Sequence, residues 1–141
     1  MRTKHLNLML TRLLCLGVFA LLSGSLCAAS YDEAMSALAD GNYRMAYRDF
    51  KALAEEGDAE AQYRLGMLLL FGQGVKQRVA EGLEWLKRAA DNGSYLAANE
   101  LAQIYTSGRE VAPDEQEAMK WIERATQLGK QQPEEADDGC E

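Results

Sequence analysis

Apolar side chains recur at helical spacing along most of the chain. The clearest run covers residues 59–71, where one set shares a single predicted face: Ala61, Leu65, Leu68 and Leu69. Residues three or four positions apart lie together on an α-helix, so this spacing predicts an amphipathic helix. Asp58 before the run and Gly72 after it are typical of the two ends of a helix. No segment shows the β-branched alternation that strands favour, and we therefore predict an all-α fold.

The same pattern returns 36 residues later. Residues 59–93 align with residues 95–129, and the shared positions include both tryptophans of the chain, Trp85 and Trp121. The other identities are Ala61/Ala97, Leu65/Leu101, Gly72/Gly108, Val75/Val111, Glu81/Glu117, Arg88/Arg124, Ala89/Ala125 and Gly93/Gly129. A period of roughly 20–50 residues indicates a stacked repeat protein. We expect the two tryptophans to fill gaps between helices.

Each repeat predicts two helices joined by a loop. Unit 58–93 carries predicted helices over 59–71 and about 79–92. Unit 94–129 carries one over 95–107 and a last helix that starts within 113–117, with Asp114 and Glu117 as a capping box, and ends near Leu128. Residues 30–57 predict a divergent first helix pair with a turn at Gly41-Asn42. One pair cannot bury its own apolar face, whereas three stacked pairs share a continuous core.

The first 29 residues have the order of a secretory signal peptide. A basic start is followed by an apolar run from Leu13 to Leu22 and then by small residues up to Ala29. That run is too short for a bilayer, which needs about 20 residues. We therefore predict cleavage after Ala29, a periplasmic or secreted protein, and no membrane span after cleavage. An uncleaved membrane anchor is the alternative.

The last twelve residues, 130–141, break the pattern. They carry Pro133 and several carboxylates without apolar periodicity, and we predict a disordered acidic tail. Cys140 is the one cysteine that remains after signal removal. We expect this thiol to be incidental, and the alternative is a disulfide to a partner or a second copy. The oligomeric state is left open.

Charge and residue inventory disfavour several classes of function. The chain has a net charge of −7, and losing Arg2, Lys4 and Arg12 with the signal would bring it to −10. An acidic chain repels phosphate, so we predict no nucleic-acid partner. The only histidine is His5, so the mature chain lacks Ser-His and Cys-His pairs, and we predict no cofactor and no metal site. Paired carboxylates are available in principle for glycoside hydrolysis, but most lie beside Lys or Arg on polar helix faces.

The repeat resembles the Sel1-like repeat, a relative of the tetratricopeptide repeat. In the first full unit the family pattern is met at these positions: Ala61, Leu65-Gly66, Gly72, Gly74-Val75, Trp85, Ala89-Ala90 and Gly93. In the second it is met at Ala97, Leu101, Tyr105, Gly108, Val111, Asp114, Ala118, Trp121, Ala125 and Gly129. Among the departures, Gly82 replaces a helix alanine and Ala102 replaces a glycine. The resemblance implies a right-handed α-solenoid of about three antiparallel helix pairs, and a role as an adaptor or scaffold.

The tetratricopeptide arrangement implies that the first helix of each pair lines a concave groove. Placing Leu65-Gly66 on that family's Leu-Gly pair points one set of side chains into the groove: Glu60, Tyr63, Met67, Leu70 and Phe71, and in the next unit Leu96, Asn99, Gln103, Thr106 and Ser107. From the first pair we expect Tyr31 and Met35 to contribute. Tyrosine and methionine suit a peptide groove because they give amphipathic and adaptable contact. The alternative for Phe71 is packing on a neighbouring pair.

These patterns together predict a non-catalytic periplasmic adaptor that holds a peptide or protein segment in the groove. The competing hypothesis is a cell-wall- or β-lactam-directed hydrolase, as suggested for cysteine-rich Sel1-like proteins. No Ser is followed three residues later by Lys, and no Lys-Thr-Gly occurs, so the motifs of serine β-lactamases are missing.

Overall fold

The computed structural model describes residues 30–131, and it is all-α over that range, as predicted. Six helices follow one another along the chain: α1 Tyr31–Ala39, α2 Tyr43–Glu55, α3 Ala59–Phe71, α4 Val79–Asp91, α5 Tyr95–Ser107 and α6 Glu115–Gly129. Within this described part, no helix combines the length and the apolarity that a bilayer crossing needs. The predicted signal peptide with its cleavage site, and the predicted tail beyond residue 131 with Cys140, lie outside the described residues.

Local capping fixes the helix ends close to where the sequence predicts them. Asp58 accepts a hydrogen bond from the Ala61 amide at 2.7 Å and begins α3. Gly72 ends α3 in the left-handed conformation, with φ at 67°, where a side chain would be strained. Asp114 accepts from two backbone amides of the first turn of α6, which begins one residue after it. These interactions are local, and sequence spacing therefore predicts them well.

Three helix pairs stack into a solenoid around two apolar clusters. The first cluster joins the pair α1–α2 to the pair α3–α4 and includes Phe50, Leu65 and Leu69. The second joins α3–α4 to α5–α6 and includes Leu86, Leu101 and Trp121. Consecutive helices pack against each other from α1 to α6. The helices therefore form an α-solenoid of three antiparallel pairs, and both tryptophans pack in these clusters as expected, Trp121 buried and Trp85 half-buried.

The two helices of the middle pair approach each other through glycine. A Cβ placed on Gly82 would lie 2.9 Å from the carbonyl oxygen of Gly66 and 3.0 Å from the amide nitrogen of Leu70. A Cβ placed on Gly66 would lie 3.0 Å from the carbonyl oxygen of Gly82. The departure at Gly82 thus has a structural reason, because α3 and α4 cross with their backbones nearly in contact at this point.

The loop between α3 and α4 reaches back to the first pair. A Cβ on Gly74 would lie 2.5 Å from the carbonyl carbon of Tyr43, so the loop rests on the first turn of α2. At the end of the loop, Arg78 donates to the Tyr47 hydroxyl at 3.0 Å. The second unit therefore covers part of the first through its loop as well as through its helices.

Candidate functional site

Tyr31 and Met35 of α1 form the first part of the predicted groove. Both side chains are half-buried and pack against the first apolar cluster. The Tyr31 ring meets the Phe50 ring edge-on, with centroids 5.7 Å apart. These two residues therefore combine a packed body with an accessible edge, which is the usual arrangement of a tyrosine at a binding surface.

Tyr63 and Met67 of α3 are also half-buried, and they pack against the second cluster. Arg64 lies beside them, with its guanidinium carbon 5.3 Å from the centre of the Tyr63 ring. Its Nη2 lies 3.4 Å from a carboxylate oxygen of Glu60. Among the described residues, the buried Nε of Arg64 has no hydrogen-bond partner. The Nε of Arg64 is thus an unpaired donor that lies below the surface, beside Tyr63.

Electrostatic effects connect α1, α3 and α5. Burial alone would lower the pKa of Arg64, but a hydrogen bond with Tyr31 and the nearby Glu60 carboxylate raise it. Burial raises the pKa of Tyr63, and the Glu100 carboxylate of α5 raises it further. The two tyrosines therefore lie within electrostatic reach of the same arginine, on neighbouring first helices.

Two partly desolvated carboxylates border this region. Burial raises the pKa of Glu60, and Arg64 partly offsets the rise. Burial also raises the pKa of Glu100, and the neighbouring Glu110 raises it further. One buried oxygen of Glu110 has no partner among the described residues. A cationic donor brought to this border would stabilise the ionised form of these groups.

Asn99, Gln103 and Thr106 of α5 come together at a separate pocket near the end of the solenoid. The pocket has a volume of about 350 Å³ and is also lined by Ala102, Ser107, Arg109 and Ile122. Gln103 and Thr106 are exposed and Asn99 is half-buried. The Thr106 hydroxyl donates to the Ala102 carbonyl at 2.7 Å. This pocket lies between α5 and α6, so it faces the open end of the last pair.

Phe71, the last residue of α3, is 50% exposed, whereas the preceding Leu70 is fully buried in the second cluster. Among the described residues, sequence reasoning did not single out Arg64, Glu100, Arg109 or Ile122 as parts of a site. Arg64 had a usable signal, because Glu60 lies four residues before it and such pairs interact on a helix. The sequence also contains a signal for Ile122, because this residue aligns with Leu86 at the 36-residue shift.

The surface is suited to non-covalent binding. It offers tyrosine rings, one arginine with an unpaired Nε, amide and hydroxyl groups, and carboxylates with raised pKa values. The sequence holds no histidine within residues 30–131. Aromatic and arginine side chains are enriched where proteins bind other proteins.

Comparison with known proteins gives the same fold. A family model described as Sel1 repeat matches residues 59–94 and 96–130, which is half of the chain. A Sel1 repeat protein from Oxalobacter formigenes is similar in structure, with 29% sequence identity and a TM-score of 0.56. A protective antigen present in uropathogenic Escherichia coli strains, which displays an SLR fold, is similar with 24% identity and a TM-score of 0.59, and it supports the fold alone.

Both solved proteins are much longer than this chain. The match covers 61% of this chain and 35% of the Oxalobacter protein, and 73% of this chain and 26% of the Escherichia coli protein. No curated protein gave a significant match. The two matched repeats, together with the helix pairs and the structural neighbours, show that this chain belongs to the Sel1 repeat family.

Proposed function

We propose that this protein is a non-catalytic adaptor of the periplasm or extracellular space that holds a peptide or protein segment along α1, α3 and α5. Sel1 repeat proteins generally act as scaffolds for protein–protein interaction, which supports the broader part of this proposal. The finer part, a peptide held in the groove, is supported by the chemistry of the groove itself.

The observation that carries the proposal is the group formed by Tyr31, Tyr63 and Arg64. The Arg64 guanidinium lies over the Tyr63 ring, burial lowers and Tyr31 raises the pKa of Arg64, and the buried Nε lacks a partner among the described residues. A buried donor without a partner costs free energy, of the order of 1–3 kcal/mol. A backbone carbonyl of a bound segment would satisfy it only if the partly exposed Arg64 side chain turned to bring this nitrogen to the surface.

The carboxylates at the border indicate the charge of that segment. Glu60 and Glu100 are partly desolvated, and the whole chain is acidic. A basic or neutral segment fits this surface better than an acidic one. Long-range attraction of a basic segment would weaken as salt is added.

The binding test compares two matched double variants in affinity capture from an extract of the compartment into which the protein is exported. Tyr63→Ala with Met67→Ala alters the groove, whereas Tyr43→Ala with Met45→Ala removes the same residue types from exposed positions of α2. We expect the first variant to lose captured partners and the second to keep them. Because Tyr63 and Met67 also pack on the core, Arg64→Gln serves as a gentler third variant.

If the Tyr63→Ala, Met67→Ala variant and the Arg64→Gln variant both capture the same partners as the wild type, the assignment of the binding site to the groove is refuted. Two further measurements test the remaining parts of the proposal. We expect cell fractionation and mass spectrometry to find an exported chain that begins at Ser30. We expect no hydrolysis of nitrocefin or peptidoglycan by the purified protein, and a clear rate that follows the protein through purification would overturn the non-catalytic assignment.

A further inference from the structure

The open end of the last helix pair carries an apolar stripe that the repeat itself identifies as an interface. Met119 and Ile122 of α6 are 64% and 52% exposed. The equivalent residues of α4, 36 positions earlier, are Leu83 and Leu86, which are only 6% and 0% exposed because they pack against the third pair. In α4 these two positions pack on the next unit. In α6 the same two positions are also apolar, but no further unit covers them among the described residues.

Three neighbouring positions extend this equivalence. Glu115 and Thr126 of α6 correspond to Val79 and Ala90, and Thr106 of α5 corresponds to Leu70. All three counterparts pack in the second apolar cluster, whereas all three residues of the last pair are exposed. We call the following set the end face: Ala102, Thr106, Glu115, Met119, Ile122 and Thr126. The roughly 350 Å³ pocket between α5 and α6 opens onto this face through Ala102, Thr106 and Ile122.

The first helix pair does not offer the surface that would complete this interface. In the second and third pairs, Trp85 and Trp121 pack in the cluster shared with the preceding pair. The equivalent residue of the first pair is Asp49, which is buried and lies 2.8 Å from the Nε of Arg48. This carboxylate replaces the tryptophan through which the second and third pairs pack on the pair before them, so the first pair lacks that contact. Head-to-tail stacking of copies is therefore disfavoured.

The end face is instead complementary to itself. Its α6 stripe has spacings of four, three and four residues, from Glu115 through Met119 and Ile122 to Thr126, and Lys130 follows four residues after Thr126. Such spacing keeps a stripe on one side of a helix that packs along another helix. Ile122 is the middle residue of α6. At 1.5 Å per residue, Glu115 lies roughly 11 Å before it and Lys130 roughly 12 Å after it. Two antiparallel copies of α6 would place each Glu115 near the other copy's Lys130.

We propose that the end face is a homodimer interface, in which α6 of one copy packs antiparallel to α6 of a second copy about a two-fold axis at Ile122. The apolar residues lie at the centre, and opposite charges meet at both ends. Met119 of each copy enters the pocket beside Ala102 of the other, which suits an unbranched and adaptable side chain. This pairing leaves Tyr31 and Tyr63 uncovered, but it covers Thr106 and fills the pocket that Asn99 and Gln103 also line, so a bound segment would be confined to the α1 and α3 part of the groove in the dimer.

The test measures the mass of the full chain by sedimentation equilibrium over a series of concentrations, with reductant present to exclude a Cys140 disulfide. We expect a monomer–dimer equilibrium. Ile122→Glu and Met119→Lys are each expected to weaken dimerisation at least tenfold, while circular dichroism reports an unchanged fold. Leu96→Glu is the matched control, because Leu96 is an exposed apolar residue of α5 whose counterpart in α3 is already Glu60. We expect it to keep the wild-type dissociation constant.

Charge reversal tests the antiparallel register. Glu115→Lys alone is expected to weaken the dimer, and combining it with Lys130→Glu is expected to restore it. A monomer at every concentration, a dimer that resists both stripe variants, or growth beyond a dimer would each overturn the proposal. A last variant ends at Gln131. If this shortened chain dimerises while the full chain does not, the proposal is also overturned, because the residues after 131 would then be what covers the end face.

Discussion

Replacing Gly82 with alanine tests how closely α3 and α4 approach. The added Cβ would lie 2.9 Å from the Gly66 carbonyl oxygen, 3.0 Å from the Leu70 amide nitrogen and 3.3 Å from the Leu70 Cα. All three are backbone atoms, so relief requires one helix to move away from the other. Overpacking of this kind costs about 1–3 kcal/mol. Alanine gains about 1 kcal/mol over glycine in a helix interior.

The net expectation for Gly82→Ala is a loss of about 1 kcal/mol in the free energy of unfolding, from the difference between these two terms. For a domain of 60–100 residues this lowers the melting temperature by about 4–8 °C. Urea and thermal denaturation monitored by circular dichroism measure both quantities. The variant should keep its helix content, since only the spacing of the two helices is disturbed.

The matched control measures helix propensity in the same helix without the steric contact. Glu84 is exposed in the middle of α4, so the difference between Glu84→Ala and Glu84→Gly reports the intrinsic preference for alanine at that point. We expect alanine to be favoured at Glu84 and disfavoured at Gly82. A Gly82→Ala variant that gains as much stability as alanine gains at Glu84 would refute the close approach.

Three further predictions concern polar groups. Asp114→Ala should cost about 1 kcal/mol in chemical denaturation, because its carboxylate caps two amides of α6. Gln62→Leu should cost about 1–3 kcal/mol in the same assay, because it removes two hydrogen bonds of a buried amide, which donates to the Ala54 carbonyl at 3.1 Å and accepts from Asn92 at 2.8 Å. An unchanged midpoint would contradict this. Burial raises the pKa of Glu100 in the folded state. The wild type should therefore gain stability as the pH falls from this raised pKa towards the ordinary value of 4.5. Glu100→Gln should reduce this pH dependence in thermal melts recorded at several pH values. An equally steep slope in the variant would count against the desolvation of Glu100.

Sequence spacing predicts the helices well because their ends depend on neighbouring residues. The predicted helix over 59–71 has the observed bounds, since Asp58 and Gly72 act within a few residues of themselves. The last helix likewise begins directly after Asp114, which the spacing to Glu117 predicts as its cap. Local chemistry of this kind can be seen directly in the sequence.

Contacts between helices are harder to predict from spacing. Gly66 meets the family pattern and Gly82 departs from it, and spacing alone does not show that the two glycines meet across one helix pair. Tyr63 and Met67 belong on the predicted face, but their half-burial depends on how the third pair stacks beside them. The pocket around Asn99 and its neighbours is also lined by Ile122 of α6. The expectation that the first helix of each pair lines the groove does not include this helix. The assignment of the predicted groove residues to a binding site remains a prediction.

The loop that links α3 to α4 has a consequence for how the chain opens. It rests on the first turn of α2 at Gly74 and holds Tyr47 through Arg78. The side chains of this first turn are exposed, but its backbone cannot unwind without displacing the loop that packs on it. In native-state hydrogen exchange, amides at the start of α2 and in the loop should open together with one free energy. The first two repeats would then behave as a single foldon, although the sequence divides them into two units.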